Sequence, residues 1–256
     1  MLSAHDLNSM QRISPFRNYR LFSEFLPKGY KLTTLSSVKH IEEVIELKVI
    51  LGTLITLYDD FADRPDRLNS KLLQLLYRVP FESVEIHNAF LSEEEKESLK
   101  FSQVLFKKLI FGLRQLPNYH KLIQIFNFDL KQFFLANQYG ELLTQYPYLS
   151  NYLENRLYLH HNMGIVMAGV IDLMSLPTID FSELGQLRSL FLLGQRASRI
   201  SNVITTYERE EREGDITNEL TALNSDKNFD IDSSSFEVEL NLISQKMKDF
   251  KSILRF

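Results

Sequence analysis

The stretch that decides the fold is residues 38–65, "VKHIEEVIELKVILGTLITLYDDFADRP". Its first half places apolar residues at helical spacing among Glu42, Glu43 and Glu46, which is the pattern of an amphipathic helix. Its second half, "VILGTLITLY", is apolar on every face, so it belongs in the middle of a bundle rather than on its surface. Ser37 is a plausible N-cap, and Arg64–Pro65 a natural stop. An acidic group, Asp59, Asp60 and Asp63, then stands at the C-terminal end of this buried helix. There it opposes the macrodipole, at about 0.3–1 kcal/mol per charge. Asp59 and Asp63 share a face at i, i+4, and Asp60 is turned away from them. A charge run on a helix is commonly a solvated face, but one at the tip of a buried helix suggests a bound cation.

The remainder of the chain reads in the same way. Pro15, Pro27 and Gly29 mark residues 1–36 as an irregular N-terminal segment. Helical segments follow at 68–79, at 92–116 behind a Ser92/Glu95 capping box, at 119–143, from 148 to Pro177 and from Ser182–Glu183 to Gly214. A polar loop spans 214–235 and a last amphipathic helix 236–254. No stretch alternates as a strand does, and no linker divides the chain. The expected fold is therefore all-α, one helical domain over residues 37–256.

Composition narrows the chemistry. The 256 residues hold no Cys, which excludes disulfides and thiolate ligands and leaves oxygen or imidazole for any metal. A net charge of −4 with both signs interspersed gives no nucleic-acid footprint. No segment reads as a signal peptide or a membrane span, so the cytoplasm is the expected location. Low Gly (9) and Pro (7) counts suit long helices. The aromatic residues are 19 Phe and 11 Tyr, without Trp.

A second stretch, "NVITTYERE" (202–210), lines up Asn202, Thr206 and Glu210 at i, i+4 and i+8 on one helix face. Together the two stretches resemble the paired metal motifs of class I terpene synthases. "DDFAD" looks like their aspartate-rich motif. "NVITTYERE" looks like their second motif, in which Asn, Ser or Thr, and Glu recur at four-residue steps. Tyr207 and Arg209 match residues commonly found inside it, and "EREGDITNEL" resembles the tail that follows. The 143 residues from Asp59 to Asn202 (202 − 59) fit the bacterial members of the family.

The resemblance implies a helical bundle around a central cavity and Mg²⁺-dependent ionisation of a linear isoprenyl diphosphate, followed by carbocation cyclisation. C15 is the favoured substrate length and C20 the next. It implies three Mg²⁺ held by Asp59, Asp63, Asn202, Thr206 and Glu210, with Asp60 in a supporting place behind them. Mg²⁺ suits this set, because it takes oxygen ligands and is commonly bound through few carboxylates plus substrate phosphates. The resemblance further implies that Arg156 and Arg209 act as the catalytic, diphosphate-binding cations, a role that suits a planar guanidinium. Ile55 and Thr56, one turn before Asp59, are expected to face the same space, with Phe133 and Phe134 as weaker aromatic candidates.

This chain departs from the family pattern in two places. Where the family has an acidic linker and then a small residue after its sensor Arg, this chain has Leu159 and His160, with Gly164 only later. His160 and His161 point about 100° apart on a helix and read as packing or surface residues rather than ligands. The family usually continues through further helix to a terminal Arg-Tyr pair that contacts diphosphate, whereas this chain has Arg255–Phe256 only 46 residues after Glu210 (256 − 210), so that Arg255 stands in for the pair or the closing helix is missing. Two alternatives stay open: a trans-prenyl diphosphate synthase of the same fold, which normally has aspartates in both motifs, and a non-catalytic isoprenoid-binding helical protein. A homodimer is compatible with either reading.

Overall fold

The computed structural model describes residues 2–63, 67–85, 90–213 and 233–253, the side chains of 209–211, 213, 233–235 and 249–253 excepted. Every regular element among the described residues is helical. In order these are α1 (Ala4–Ile13), a π-helical turn (Leu21–Phe25) running into α2 (Leu26–Thr33), α3 (Ile41–Ala62), α4 (Ser70–Arg78), α5 (Glu93–Leu113), α6 (Tyr119–Gln145), α7 (Tyr152–Tyr158), α8 (Ile165–Ser175), α9 (Leu184–Glu213) and α10 (Ser233–Ile253), with short 3₁₀ turns at Pro147–Leu149, Leu159–Met163 and Phe181–Glu183. No described helix is long and apolar enough to cross a membrane.

Local chemistry sets most of the boundaries. Ser92 and Glu95 form the capping box that opens α5, and Asn69 caps α4 through the amides of Lys71 and Leu72. The N-terminal segment, expected to be irregular, carries helices of its own. Ser3 and Asp6 make a reciprocal capping box for α1, and Pro27 sits in the first turn of α2, where its missing N–H costs nothing. The breakers there mark helix starts as well as interruptions. α3 begins four residues later than Ser37. The chain before it is held in a turn, because the Leu35 amide donates to Asp172 (3.1 Å) and the Thr34 hydroxyl accepts from Lys48 (2.9 Å).

The chain groups into two compact units, each assembled from separated stretches: residues 1–61, 69–127 and 168–177 in the first, and 62–68, 128–167 and 178–256 in the second. Because each unit is interleaved along the chain, no linker composition announces it.

In the first unit α3 is the central element. Leu51, Leu54, Leu57 and Tyr58 are all but inaccessible. The Tyr58 hydroxyl lies 2.8 Å from both the Leu76 carbonyl and the Ser102 hydroxyl, tying α3 to α4 and α5, and burial pushes its pKa far up. Gly52 and Gly112 let neighbours come close: a Cβ on Gly52 would meet the Tyr30 hydroxyl at 2.6 Å, and one on Gly112 would meet Leu47 at 2.3 Å. Lys48 and Asp172, each 1% exposed, form an ion pair at 2.5 Å inside this apolar packing. Burial pushes Lys48 down and Asp172 up, and each opposes the shift of the other. In the second unit, Ile200 of α9, Tyr152 of α7 and Phe236 and Ile243 of α10 make one apolar cluster.

The Lys48–Asp172 pair yields a stability test. Lys48→Met or Asp172→Leu alone is expected to cost about 3–5 kcal/mol, because it leaves one buried charge without its partner. The double substitution is expected to recover most of that loss. Urea denaturation of the three variants measures it.

Candidate functional site

The second half of α3 is buried at nearly every position, with three exceptions. Ile55, Thr56 and Asp59 are half-buried, and Asp63, the first residue beyond the helix, is half-buried as well. Ile55, Thr56 and Asp59 lie at the spacing of one helix face. An apolar helix thus presents one open stripe that ends in a carboxylate. Phe61 and Ala62 close the remaining faces at 2% and 0% exposure.

The two adjacent aspartates have different environments. Asp60 is 1% exposed. Its Oδ1 accepts from Arg17 Nε (2.8 Å) and Nη2 (2.5 Å), and its Oδ2 accepts from the Ser14 hydroxyl (2.7 Å). Asp59 keeps a side chain that is 28% exposed, with Arg17 Nη2 at 4.0 Å. Asp60 is therefore consumed by protein partners and shut off from solvent, while the Asp59 side chain is partly exposed.

On α9, Asn202 and Thr206 are both half-buried. The Thr206 hydroxyl donates to the Asn202 carbonyl (2.7 Å), which fixes its rotamer and leaves its lone pairs available. The Asn202 side-chain amide has no hydrogen bond within the described residues. The side chains of Arg209 and Glu210 lie outside the described residues, as do Gly214 with the tail after it and Arg255. Three residues ahead of Asn202, Arg199 is 4% exposed and shares the Asn202 and Thr206 face. It is not among the cations expected from the sequence, Arg156 and Arg209. Its i, i+3, i+7 spacing to Asn202 and Thr206 was the available signal.

Arg156 lies in the last turn of α7 and is engaged. Its Nη1 donates to the Tyr152 hydroxyl (2.8 Å), and its Nη2 is 3.1 Å from Glu239 of α10. The same Glu239 accepts two bonds from Arg196 of α9, at 3.0 and 3.1 Å. Burial alone would raise the Glu239 carboxyl, but the hydrogen bonds from Arg196 and the nearby charge of Arg156 hold it below its ordinary value. Arg156 is 47% exposed, so a solvent anion can reach it in competition with Glu239.

Beyond α7 the helix breaks. Leu159–Met163 tighten into a 3₁₀ turn and Gly164 takes a left-handed φ of 66° before α8 resumes. The interruption spans Leu159–Met163 and closes at Gly164. Within the turn, His161 is pushed down to about 4, first by burial and then by the neighbouring His160. Its Nδ1 is 3.4 Å from Gln195 Nε2, and Gln195 Oε1 accepts the Val166 amide (3.2 Å). A cavity of about 170 Å³ opens there, beside the bidentate Arg188–Asp129 pair.

On α6, Phe133 and Phe134 are buried at 2% and 5%, with ring centroids 5.6 Å apart. One turn on, Asn137 is buried at 1% and neither of its amide atoms has a hydrogen-bond partner, a polar group that a water or a ligand would satisfy. A larger cavity, about 580 Å³, lies by the opposite end of α3 between Glu43, Leu47, Ile50, Lys108 and Phe111. It includes none of the residues picked out from the sequence.

Among the described residues no three His, Asp or Glu side chains gather in a way that could hold a metal ion. The donors that the motifs supply are single carboxylate, amide and hydroxyl oxygens, a set that suits a hard cation whose remaining ligands are water or phosphate. Neither models of known protein families nor curated proteins give a match to this chain.

His161 yields a pH test. Its folded-state pKa lies below its unfolded value of about 6.5, so the unfolded chain binds the extra proton first and stability falls as pH drops from about 6.5 toward 4. His161→Gln is expected to flatten that part of the pH–stability curve, measured by urea denaturation at pH 7, 5.5 and 4.5.

Proposed function

We propose that the protein is a class I terpene cyclase, which ionises a linear isoprenyl diphosphate with Mg²⁺ and cyclises the resulting cation. The observation that carries this reading is the open stripe Ile55–Thr56–Asp59 on an otherwise buried helix, ending in one accessible carboxylate beside one that is locked. The Asn202 and Thr206 donors on α9 and the Gly164 helix break add support. C15 is the proposed substrate length, with C20 next, and the cytoplasm the proposed location.

In this reading Asp59 and Asp63 would hold cation at the end of α3, and Asn202, Thr206 and Glu210 would hold it along α9. Mg²⁺ bound there would stabilise the negative charge that develops on the departing diphosphate. The chain's own part is to orient and to exclude water. Arg156 would exchange part of its Glu239 contact for a phosphate oxygen, a match of planar donors to an anion. Arg199, fixed on the Asn202 face, and Arg209 would add cationic donors. Ile55 would offer an apolar wall, and the Thr56 hydroxyl beside it is turned back to donate to the Gly52 carbonyl (2.9 Å). Phe and Tyr faces attract a carbocation by about 0.5–2 kcal/mol each without reacting with it. Water would trap the first cation as an acyclic alcohol, so dry surroundings favour ring closure.

A trans-prenyl diphosphate synthase is the second reading. The amide and hydroxyl at Asn202 and Thr206, where that family normally has carboxylates, weigh against it.

Asp59→Ala and Glu210→Ala are each expected to lower turnover of a C15 diphosphate at least 100-fold, an effect of about 2.7 kcal/mol or more on the barrier, with helicity unchanged. EDTA is expected to abolish turnover and Mg²⁺ to restore it. Gas chromatography of products from C10, C15, C20 and C25 diphosphates provides the readout. Near-normal turnover in either variant, or a chelator-resistant product, would overturn the assignment.

A further inference from the structure

Four elements meet at the cavity of about 170 Å³ in the second unit. Its polar groups are Asp129 and Gln132 of α6, His161 of the 3₁₀ turn, and Arg188 and Gln195 of α9, and the rest of its wall is apolar. The Val166 amide can only donate, so the oxygen of the buried Gln195 side chain faces it (3.2 Å), and the Gln195 nitrogen then faces His161 Nδ1 (3.4 Å). Nδ1 of the neutral imidazole therefore accepts, and the ring proton sits on Nε2. Neither His161 Nε2 nor the half-buried Gln132 side chain makes a hydrogen bond among the described residues. Arg188 spends one hydrogen of each terminal nitrogen on Asp129, at 2.8 and 2.7 Å, and keeps its other N–H groups. Both oxygens of Asp129, which is 6% exposed, are taken by that pair. The wall thus carries N–H donors from α6, from the 3₁₀ turn and from α9, and its one carboxylate is already occupied.

We propose that this cavity is a binding site for a small tetrahedral oxyanion of the phosphate class, held by His161 Nε2, the Arg188 guanidinium and the Gln132 amide. The proposal does not depend on the cyclase reading. Size is the first argument. The cavity is smaller than the about 300–1,000 Å³ of pockets that take drug-sized ligands, yet it has room for several waters at about 30 Å³ each. A single phosphate or sulfate ion suits it, and an isoprenoid chain does not. The second argument is the donor set: N–H groups from three elements around one space suit a ligand with acceptors in several directions better than a planar carboxylate. The third is charge. Arg188 and Asp129 cancel each other, and the remaining titratable groups are His161 and the adjacent His160, whose ring centroid is 4.1 Å away. Burial and His160 both disfavour the imidazolium form of His161. An anion in the cavity favours that form, so anion binding and protonation of His161 reinforce each other.

The test is an NMR titration of the full chain with sulfate, a stand-in for phosphate whose charge is constant between pH 5.5 and 7. EDTA is present, so no metal takes part. The Hε1 signal of His161, identified among six histidines by its absence from His161→Phe, is read against chloride at equal ionic strength. The parent is expected to show a saturable shift of that signal, with sulfate bound about threefold more tightly at pH 5.5 than at pH 7, and a weaker response to acetate. Arg188→Lys keeps a cation for Asp129 but loses the further guanidinium donors, and is expected to bind sulfate about tenfold more weakly. Gln132→Leu gives up no hydrogen bond within the protein and is expected to weaken sulfate binding about fivefold. Melting temperatures establish that each variant is folded. A His161 signal that does not saturate with sulfate, or that chloride moves equally, overturns the proposal. Unchanged sulfate affinity in folded Gln132→Leu overturns it too, whether or not Arg188→Lys folds. An acetate response as strong as that to sulfate overturns the phosphate class. Turnover of isoprenyl diphosphates is measured separately, so none of these results bears on the cyclase reading.

Discussion

A carboxylate cannot be buried at the negative end of a helix unless something cancels its charge. Asp60 is such a carboxylate, and the way it is cancelled organises the first unit. Its counter-ion, Arg17, belongs to a segment more than forty positions earlier in the chain, so the end of α3 is completed only when α1 and its following turn are in place. Asp60 is thereby withdrawn from solvent while the adjacent Asp59 stays accessible. The same unit cancels a second buried charge in the same manner, with Lys48 and Asp172 drawing Thr34 and Leu35 into the pair. In both cases a polar contact joins α3 to a distant part of the chain.

The second unit treats charge differently. Glu239 is shared by Arg196, which is buried, and Arg156, which is half exposed. Glu239 thus links α10 to both α7 and α9. Arg196 gives Glu239 a fixed bidentate partner, so Arg156 can leave for another anion without stranding the carboxylate. Apolar packing of Tyr152, Ile200, Phe236 and Ile243 holds α7, α9 and α10 together independently of that exchange.

Much of this was legible in the sequence where the cause is local. The buried course of α3 followed from "VILGTLITLY", the start of α5 from Ser92 and Glu95, and the stripe toward Asp59 from the spacing of Ile55 and Thr56. What depends on distant partners was not legible. Asp6 three residues after Ser3 is a capping signal, but Pro15, Pro27 and Gly29 drew the reading toward an irregular segment. Nothing around Arg17 marks it as the partner of Asp60, because a long-range ion pair leaves no periodic trace. Nor could the capture of Leu35 by Asp172, ahead of the start of α3 at Ile41, be read. Arg199 was legible in principle by helical spacing, but its burial is a property of packing.

The central claim is that Asp59 and the Asn202–Thr206 face of α9 hold hard cations in the presence of diphosphate. The most direct measurement is anomalous X-ray scattering from crystals grown with Mn²⁺ and inorganic diphosphate. The account predicts Mn²⁺ peaks bound to the Asp59 carboxylate and to Asn202 and Thr206, with Asp60 still bonded to Arg17. Peaks confined to other surface carboxylates, or none at these residues when diphosphate is visible elsewhere, would contradict it.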